Sequence, residues 1–135
     1  MPLVLWTKKY SVNIGEIDRQ HRTLFSLIND FHDALKKGEG RKLTEDILAR
    51  MVAYAEEHFS SEEGYMAAHG YPGYGPHRKA HEYFMGRVKE YQRDFGAGRL
   101  EVPLDVMRFL MDWLVEHVEG TDMRYAPFLN ERGVF

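Results

Sequence analysis

The residues able to do chemistry in this chain come in spaced pairs. His58 and Glu62 stand four apart, and so do His77 and His81. On a helix that spacing puts both members of a pair on one face, one turn apart. Between the pairs lies Gly70-Tyr71-Pro72-Gly73-Tyr74-Gly75-Pro76, which can continue neither helix. The chain therefore rises on one helix, turns, and descends on another, each carrying a pair of metal-competent side chains. His21 precedes this stretch, His117 follows it, and Asp122 lies five residues after His117. Imidazole-rich sites suit iron, copper, zinc or nickel, and carboxylates shift the balance toward harder ions.

The elements that must position these residues read as helices. Ile14, Ile17, His21, Leu24, Ile28, Phe31 and Leu35 alternate spacings of three and four, the seam of a bundle helix. We place this helix over about 17–37, stopped by Gly38-Glu39-Gly40. Thr44, Glu45 and Asp46 put acidic character near the start of the second helix, where it suits the helix dipole. Its seam is Leu48, Met51, Ala55, His58, Glu62 and Tyr65, and it ends near Gly70. The third starts around Pro76 and carries His77, His81, Phe84, Val88, Tyr91 and Phe95 to a stop at Gly96-Ala97-Gly98. Pro103 opens the fourth, with Val106 or Met107, Leu110, Trp113 or Leu114, and His117 in its seam. Gly120 breaks it, and Thr121 or Asp122 caps a short final helix to about Asn130. Residues 1–13 form an extended arm, and nothing alternates with period two for long enough to be a strand. The expectation is all-α: one domain over 1–135, an up-down-up-down four-helix bundle with a short N-terminal arm and a short C-terminal helix.

His21, His58, Glu62, His77, His81 and His117 occupy apolar seams. They fall early in helix one, late in two, early in three and late in four, so an up-down bundle gathers them at one end. A charge or imidazole in a bundle core is costly unless it is paired or binds a metal. A lone core histidine is ordinarily just hydrogen-bonded; six polar groups in the seams of four helices demand a metal site. Asp122 is less determined. On an ideal helix it lies about 140° round from His117, so it points inward only if the helix breaks or bulges, and Gly120 supplies a break. The other reading is a plain helix cap.

Five imidazoles and two carboxylates are too many for one octahedral ion and suit two. With both carboxylates bridging and one oxide or hydroxide between the ions, a single position stays open, where a small molecule binds. Non-haem iron fits this donor set best.

Composition narrows the remaining classes. The chain has 135 residues, 44% hydrophobic and 29% charged, enough for a proper core. A net charge of −3 gives no reason to expect nucleic acid. The absence of cysteine excludes disulfides, thiolate metal sites and cysteine nucleophiles. No apolar run approaches the roughly 20 residues of a membrane span, and Met1–Trp6 is too short for a signal peptide. A cytoplasmic monomer is the default expectation. The Glu-x-x-His motif of ferritin-like di-iron oxidases, the His-Glu-x-x-His zinc motif, the Gly-x-Ser-x-Gly elbow and a phosphate-binding glycine loop are all absent from the sequence.

Asp18-x-Gln20-His21-x-x-Leu24, His58-x-x-x-Glu62, His77-x-x-x-His81 and His117-x-x-x-x-Asp122 together resemble the hemerythrins, specifically the single-domain bacteriohemerythrins. The resemblance covers nearly the whole chain, including Trp113-Leu114 and Gly120-Thr121-Asp122. It implies a four-helix bundle around a non-haem di-iron centre that binds dioxygen reversibly. It implies that His77, His81 and His117 hold one iron, and that His21 and His58 hold the other, which keeps the open position. Glu62 and Asp122 would bridge the two ions together with an oxo or hydroxo group. The positions matching the family's oxygen pocket are Leu24, Phe59, Trp113, Leu114 and Val118. The residues themselves agree: Leu24 is one turn from His21, and Trp113 and Leu114 are about one turn before His117. Plain core packing is the alternative reading of these side chains, and both can hold.

Smaller expectations follow. His32, about 16 Å along the helix from His21, is a hydrogen-bonded or half-exposed histidine. His69 is a solvated loop residue. Lys8-Lys9 and Arg41-Lys42 are solvated charges, and Asp18 is a candidate acceptor for a ligating histidine's second ring N–H. The leading function is an oxygen carrier, store or scavenger rather than an enzyme, with dioxygen as ligand and room for an oxygen-consuming protein partner. The alternatives are an oxygen or redox sensing module, favoured less because no further domain is attached, and a peroxide- or nitric oxide-handling di-iron enzyme. A structural zinc bundle is disfavoured, because structural sites are closed.

Overall fold

The computed structural model describes residues 4–37, 41–97 and 103–135, apart from the side chains of Leu35, Arg41, Lys42, Thr44 and residues 103–105. The expected stops at Gly38-Glu39-Gly40 and Gly98, the start of the arm at Met1–Leu3, and the side-chain readings of Leu35, Thr44, Arg41 and Lys42 lie outside the described residues.

Helix α1 spans Gly15–Lys36, α2 Arg41–Ala68, α3 Tyr74–Gly96, α4 Pro103–Glu116 and α5 Met123–Glu131. Their order and connections make the expected up-down-up-down bundle, and no strand occurs among the described residues. The seam residues of α1, Ile17, Leu24, Ile28 and Phe31, are all essentially buried. Burying each such side chain contributes roughly 1.5–3 kcal/mol. The long apolar core continues through Leu48, Met51, Phe84, Val88, Leu110 and Leu114. A second, smaller apolar cluster of Ile14, Ile17, Met66, Tyr125 and Leu129 closes the opposite end. The polar seam residues fall between these two clusters.

Three local features fix where that level lies. First, α2 ends in a glycine stop: Gly70 has φ +66°, Tyr71 N–H donates to the Met66 carbonyl at 2.9 Å, and Gly70 N–H to that of Ala67 at 3.3 Å. This left-handed cap satisfies the last carbonyls and turns the chain into α3. Second, the arm is pinned to α1. The Asn29 side-chain amide receives Val4 N–H at 2.9 Å and donates to the Val4 carbonyl at 2.8 Å. Trp6 lies under the Arg22 guanidinium at 4.2 Å. The arm is not simply extended, since Lys8–Tyr10 form a 3-10 turn. Third, α2 begins at Arg41, four residues before Glu45, so Glu45 and Asp46 lie near the helix start but beyond the first turn.

The fourth helix departs most from expectation. Gly120 does not break it. The chain stays helical from α4 into α5 through a π turn at His117–Asp122. Asp122 has helical angles (φ −69°, ψ −31°) and makes no capping bond, so neither it nor Thr121 starts a separate helix. A π turn pairs residues five apart. It therefore swings Asp122 onto the face of His117, which an α-helix could not do.

Asp18 is also reassigned. Its carboxylate receives Val12 N–H at 2.9 Å and the Ser11 hydroxyl at 2.5 Å, and among the described residues it hydrogen-bonds to no histidine. It locks the arm to the start of α1. Asp18→Ala is expected to cost about 1–3 kcal/mol, because it strands the buried Val12 N–H. A thermal melt checks this.

Candidate metal centre

All seven candidate donors are brought together. His21 comes from α1, His58 and Glu62 from α2, His77 and His81 from α3, and His117 and Asp122 from the π turn. Each is at most 4% exposed. Their ligand atoms form two groups, in each of which all atoms lie within 4.8 Å of one another: Glu62, His77, His81, His117 and Asp122, and His21, His58, Glu62 and Asp122. Glu62 and Asp122 belong to both.

The distances show how the carboxylates are shared. Glu62 Oε1 lies 2.5 Å from His58 Nε2 and 3.3 Å from His21 Nε2, while Oε2 lies 3.0 Å from His77 Nε2 and 3.3 Å from His81 Nε2. Asp122 Oδ2 lies 2.9 Å from His21 Nε2, and Oδ1 lies 2.9 Å from both His77 and His117 Nε2. Each carboxylate thus gives one oxygen to each group of imidazoles.

The residues fit metal ions on their own chemistry. His58 Nε2 and both Asp122 oxygens are buried without a properly formed hydrogen bond. His81 Nε2 faces His117 Nε2 at 3.0 Å, a contact that at most one proton can satisfy. Desolvated lone pairs converging in this way are costly unless a cation takes them up.

Without metal, protons play that part. Burial pushes His21 and His77 down, but the close carboxylates of Asp122 and Glu62 outweigh it and hold both up at about 9. Burial wins at His58, which is lowered despite Glu62. Burial raises Glu62 and Asp122, yet the surrounding histidines hold both carboxyls below their ordinary range. The sign follows for the metal-free protein. Stability from His21 and His77 is complete below about 6.5 and lost as pH rises through about 9. Stability from Glu62 and Asp122 is present above about 4 and lost in acid. Melts of metal-free protein from pH 6 to 10 are expected to fall by an amount on the order of a few kcal/mol. A flat profile would mean the two imidazoles carry no proton.

Two acceptors for ligand ring protons were missed in the sequence. His58 Nδ1 meets Gln20 Oε1 at 2.7 Å, and His81 Nδ1 meets Glu63 Oε2 at 2.9 Å. Both adjoin a singled-out residue, His21 and Glu62, and that adjacency was the available signal.

Beside the donors, Leu24, Phe59, Trp113 and Leu114 line a narrow apolar gap that continues between Ile28, Met51, Ala55, Phe84 and Leu110. It has no room for a water molecule. Phe59 stacks on His81 at 3.9 Å and Trp113 on His117 at 4.4 Å. Val118 is fully buried but is not part of this lining. His32 is half-buried with an unpartnered Nδ1, and His69 is partly exposed in the turn after α2. No helix among the described residues is long and apolar enough to cross a membrane.

Fold and donor set together define a four-helix-bundle protein with a buried imidazole–carboxylate metal centre. The family profile described as "Hemerythrin HHE cation binding domain" matches residues 12–129. The chain is 35% identical to a bacteriohemerythrin of Methylococcus capsulatus, across 96% of this chain and 99% of that one. It is 30% identical to a myohemerythrin of Sipunculus nudus, across 90% and 89%. A crystal structure of wild-type hemerythrin superimposes with a TM-score of 0.88 at 36% identity, covering 94% of this chain and 98% of that one. The chain belongs to the hemerythrin family.

Proposed function

We propose that this chain binds dioxygen reversibly at a non-haem di-iron centre, as a carrier, store or scavenger. The observation that carries the reading is the division of Glu62 and Asp122, each with one oxygen toward each group of imidazoles. His77, His81 and His117 would hold one iron and His21 and His58 the other, with both carboxylates bridging. The two-histidine half has fewer donors and keeps the open position.

Bound iron supplies the electrons that dioxygen takes up on binding and returns on release. The protein's part is to hold the ions and keep water out. Leu24, Phe59, Trp113 and Leu114 form that dry wall. An excluded-water site disfavours loss of oxygen as a charged, protonated species. Both carboxylates common to the two groups, Glu62 and Asp122, are engaged by imidazoles, which favours binding over catalysis.

The test is the visible spectrum of iron-loaded, dithionite-reduced protein before air, after air and after argon purging. A charge-transfer band that appears with air and leaves with argon is the expected result. Direct conversion to the oxidised spectrum would shift the reading to a redox sensor or oxidase. No iron-dependent spectrum would remove the di-iron centre.

A further inference from the structure

All five imidazoles turn Nε2 toward the carboxylates. A metal taken at Nε2 leaves the ring proton on Nδ1. What that proton meets differs between the two halves. In the three-histidine half, His81 Nδ1–H donates to the Glu63 carboxylate at 2.9 Å. In the two-histidine half, His58 Nδ1–H donates to the neutral amide oxygen of Gln20 at 2.7 Å.

Both acceptors are themselves held. Gln20 Nε2 donates to Ser61 Oγ at 3.1 Å, and that hydroxyl donates to the Glu57 carbonyl at 3.1 Å. This chain fixes the amide with its oxygen toward His58. Glu63 faces Arg78 Nε at 3.8 Å, which in turn faces Glu82 at 3.4 Å. His21 Nδ1 has no partner among the described residues. The protein thus offers an anionic acceptor to one half and a neutral one to the other.

An acceptor on the outer ring nitrogen raises the basicity of the ligating one. A charged acceptor makes the stronger bond and does so more. We propose that Glu63 and Gln20 are positioning residues that make the two halves of the centre unequal. Glu63 strengthens donation from the His77–His81–His117 half, and Gln20 leaves the His21–His58 half the weaker donor. The consequence is a tightly held ion in one half and an electron-poorer ion, with the open position, in the other. This inference rests on the di-iron reading.

Three histidines against two already favour filling one half first, so the order of filling in the natural chain decides nothing. Variants do. Glu63→Gln keeps an acceptor oxygen and removes the charge, Glu63→Ala removes both, and Gln20→Glu adds a charge to the other half. Anaerobic titration with Co(II), followed by visible absorption, reads the stepwise affinities, and circular dichroism checks folding. Glu63→Gln is expected to weaken one of the two steps by about 10–100-fold and leave the other within a few-fold. Gln20→Glu is expected to strengthen that other step, and Gln20→Ala, a milder change, to weaken it. The midpoint potential of the iron-loaded protein should rise in Glu63→Gln and fall in Gln20→Glu. Both steps moving together would overturn the proposal. So would a Glu63→Gln protein matching the natural chain while Glu63→Ala fails, which would assign the effect to the bond and not the charge. Failure of the natural chain to bind two Co(II) ions would sink the di-iron reading first. Two-step binding that the variants leave unmoved would sink this inference alone.

Discussion

Glu62→Ala is expected to abolish the paired metal centre. Glu62 touches both halves, with one oxygen near His58 and His21 and the other near His77 and His81. Among the described residues, no other side chain but Asp122 is shared in this way. Loss of even an outer-shell partner costs about 10–100-fold in metal affinity, so loss of a shared donor should cost more than about 100-fold. The fold should suffer as well. Glu62 is a buried countercharge for His21 and His77, which it helps hold at about 9. Removing one partner of a buried charged set costs roughly 3–5 kcal/mol, equivalent to a fall in Tm of roughly 10–20 °C in a domain of this size. Elemental analysis of iron-loaded protein and melts with and without metal measure both effects. A Glu62→Ala protein that retains both irons at natural affinity would remove Glu62 from the centre.

Leu114→Ala should change how long the oxygenated protein survives. Leu114 is 3% exposed and lines the gap beside the donors with Leu24, Phe59 and Trp113. The gap excludes water as it stands. Truncation to alanine opens a space whose cost to stability is about 2–5 kcal/mol. It also lets water approach the centre and stabilise departing charge. A barrier lowered by about 1.4 kcal/mol gives tenfold faster decay, and an increase on that order is expected for Leu114→Ala and Leu24→Ala. The oxygenated band, followed in air at constant temperature, reads the rate. Phe95→Ala serves as a comparison, since Phe95 is buried in α3 away from the gap and should lower stability without speeding decay. Unchanged decay in both leucine variants would take the gap out of the oxygen-handling role and leave it as core.

Much of this architecture is legible in the chain because helix periodicity is a local property. The four seams run where hydrophobic spacing puts them, and histidines within a seam must be buried with it. Gly70 stops α2 because a left-handed residue is needed at that turn. The acidic pair Glu45-Asp46 marked the neighbourhood of the start of α2 but not its first residue, because charge near a helix end is a weak preference that packing overrides.

Other features depended on contacts between helices. Asp122 could be a cap or a ligand on spacing alone. The π turn at His117–Asp122 decides it by widening the helix by one residue, so that Asp122 reaches His21, His77 and His117. That distortion pays only when the partners are already in place on other helices. Asp18 lies one turn from His21 in sequence, yet it bonds to the arm. The acceptors that ring protons find, Gln20 for His58 and Glu63 for His81, lie across a helix interface. The sequence by itself determined which residues lie inside and at which end of the bundle, because periodicity and chain direction are local. The tertiary structure decided which carboxylate faces which imidazole, because that depends on the rotation and height of one helix against another.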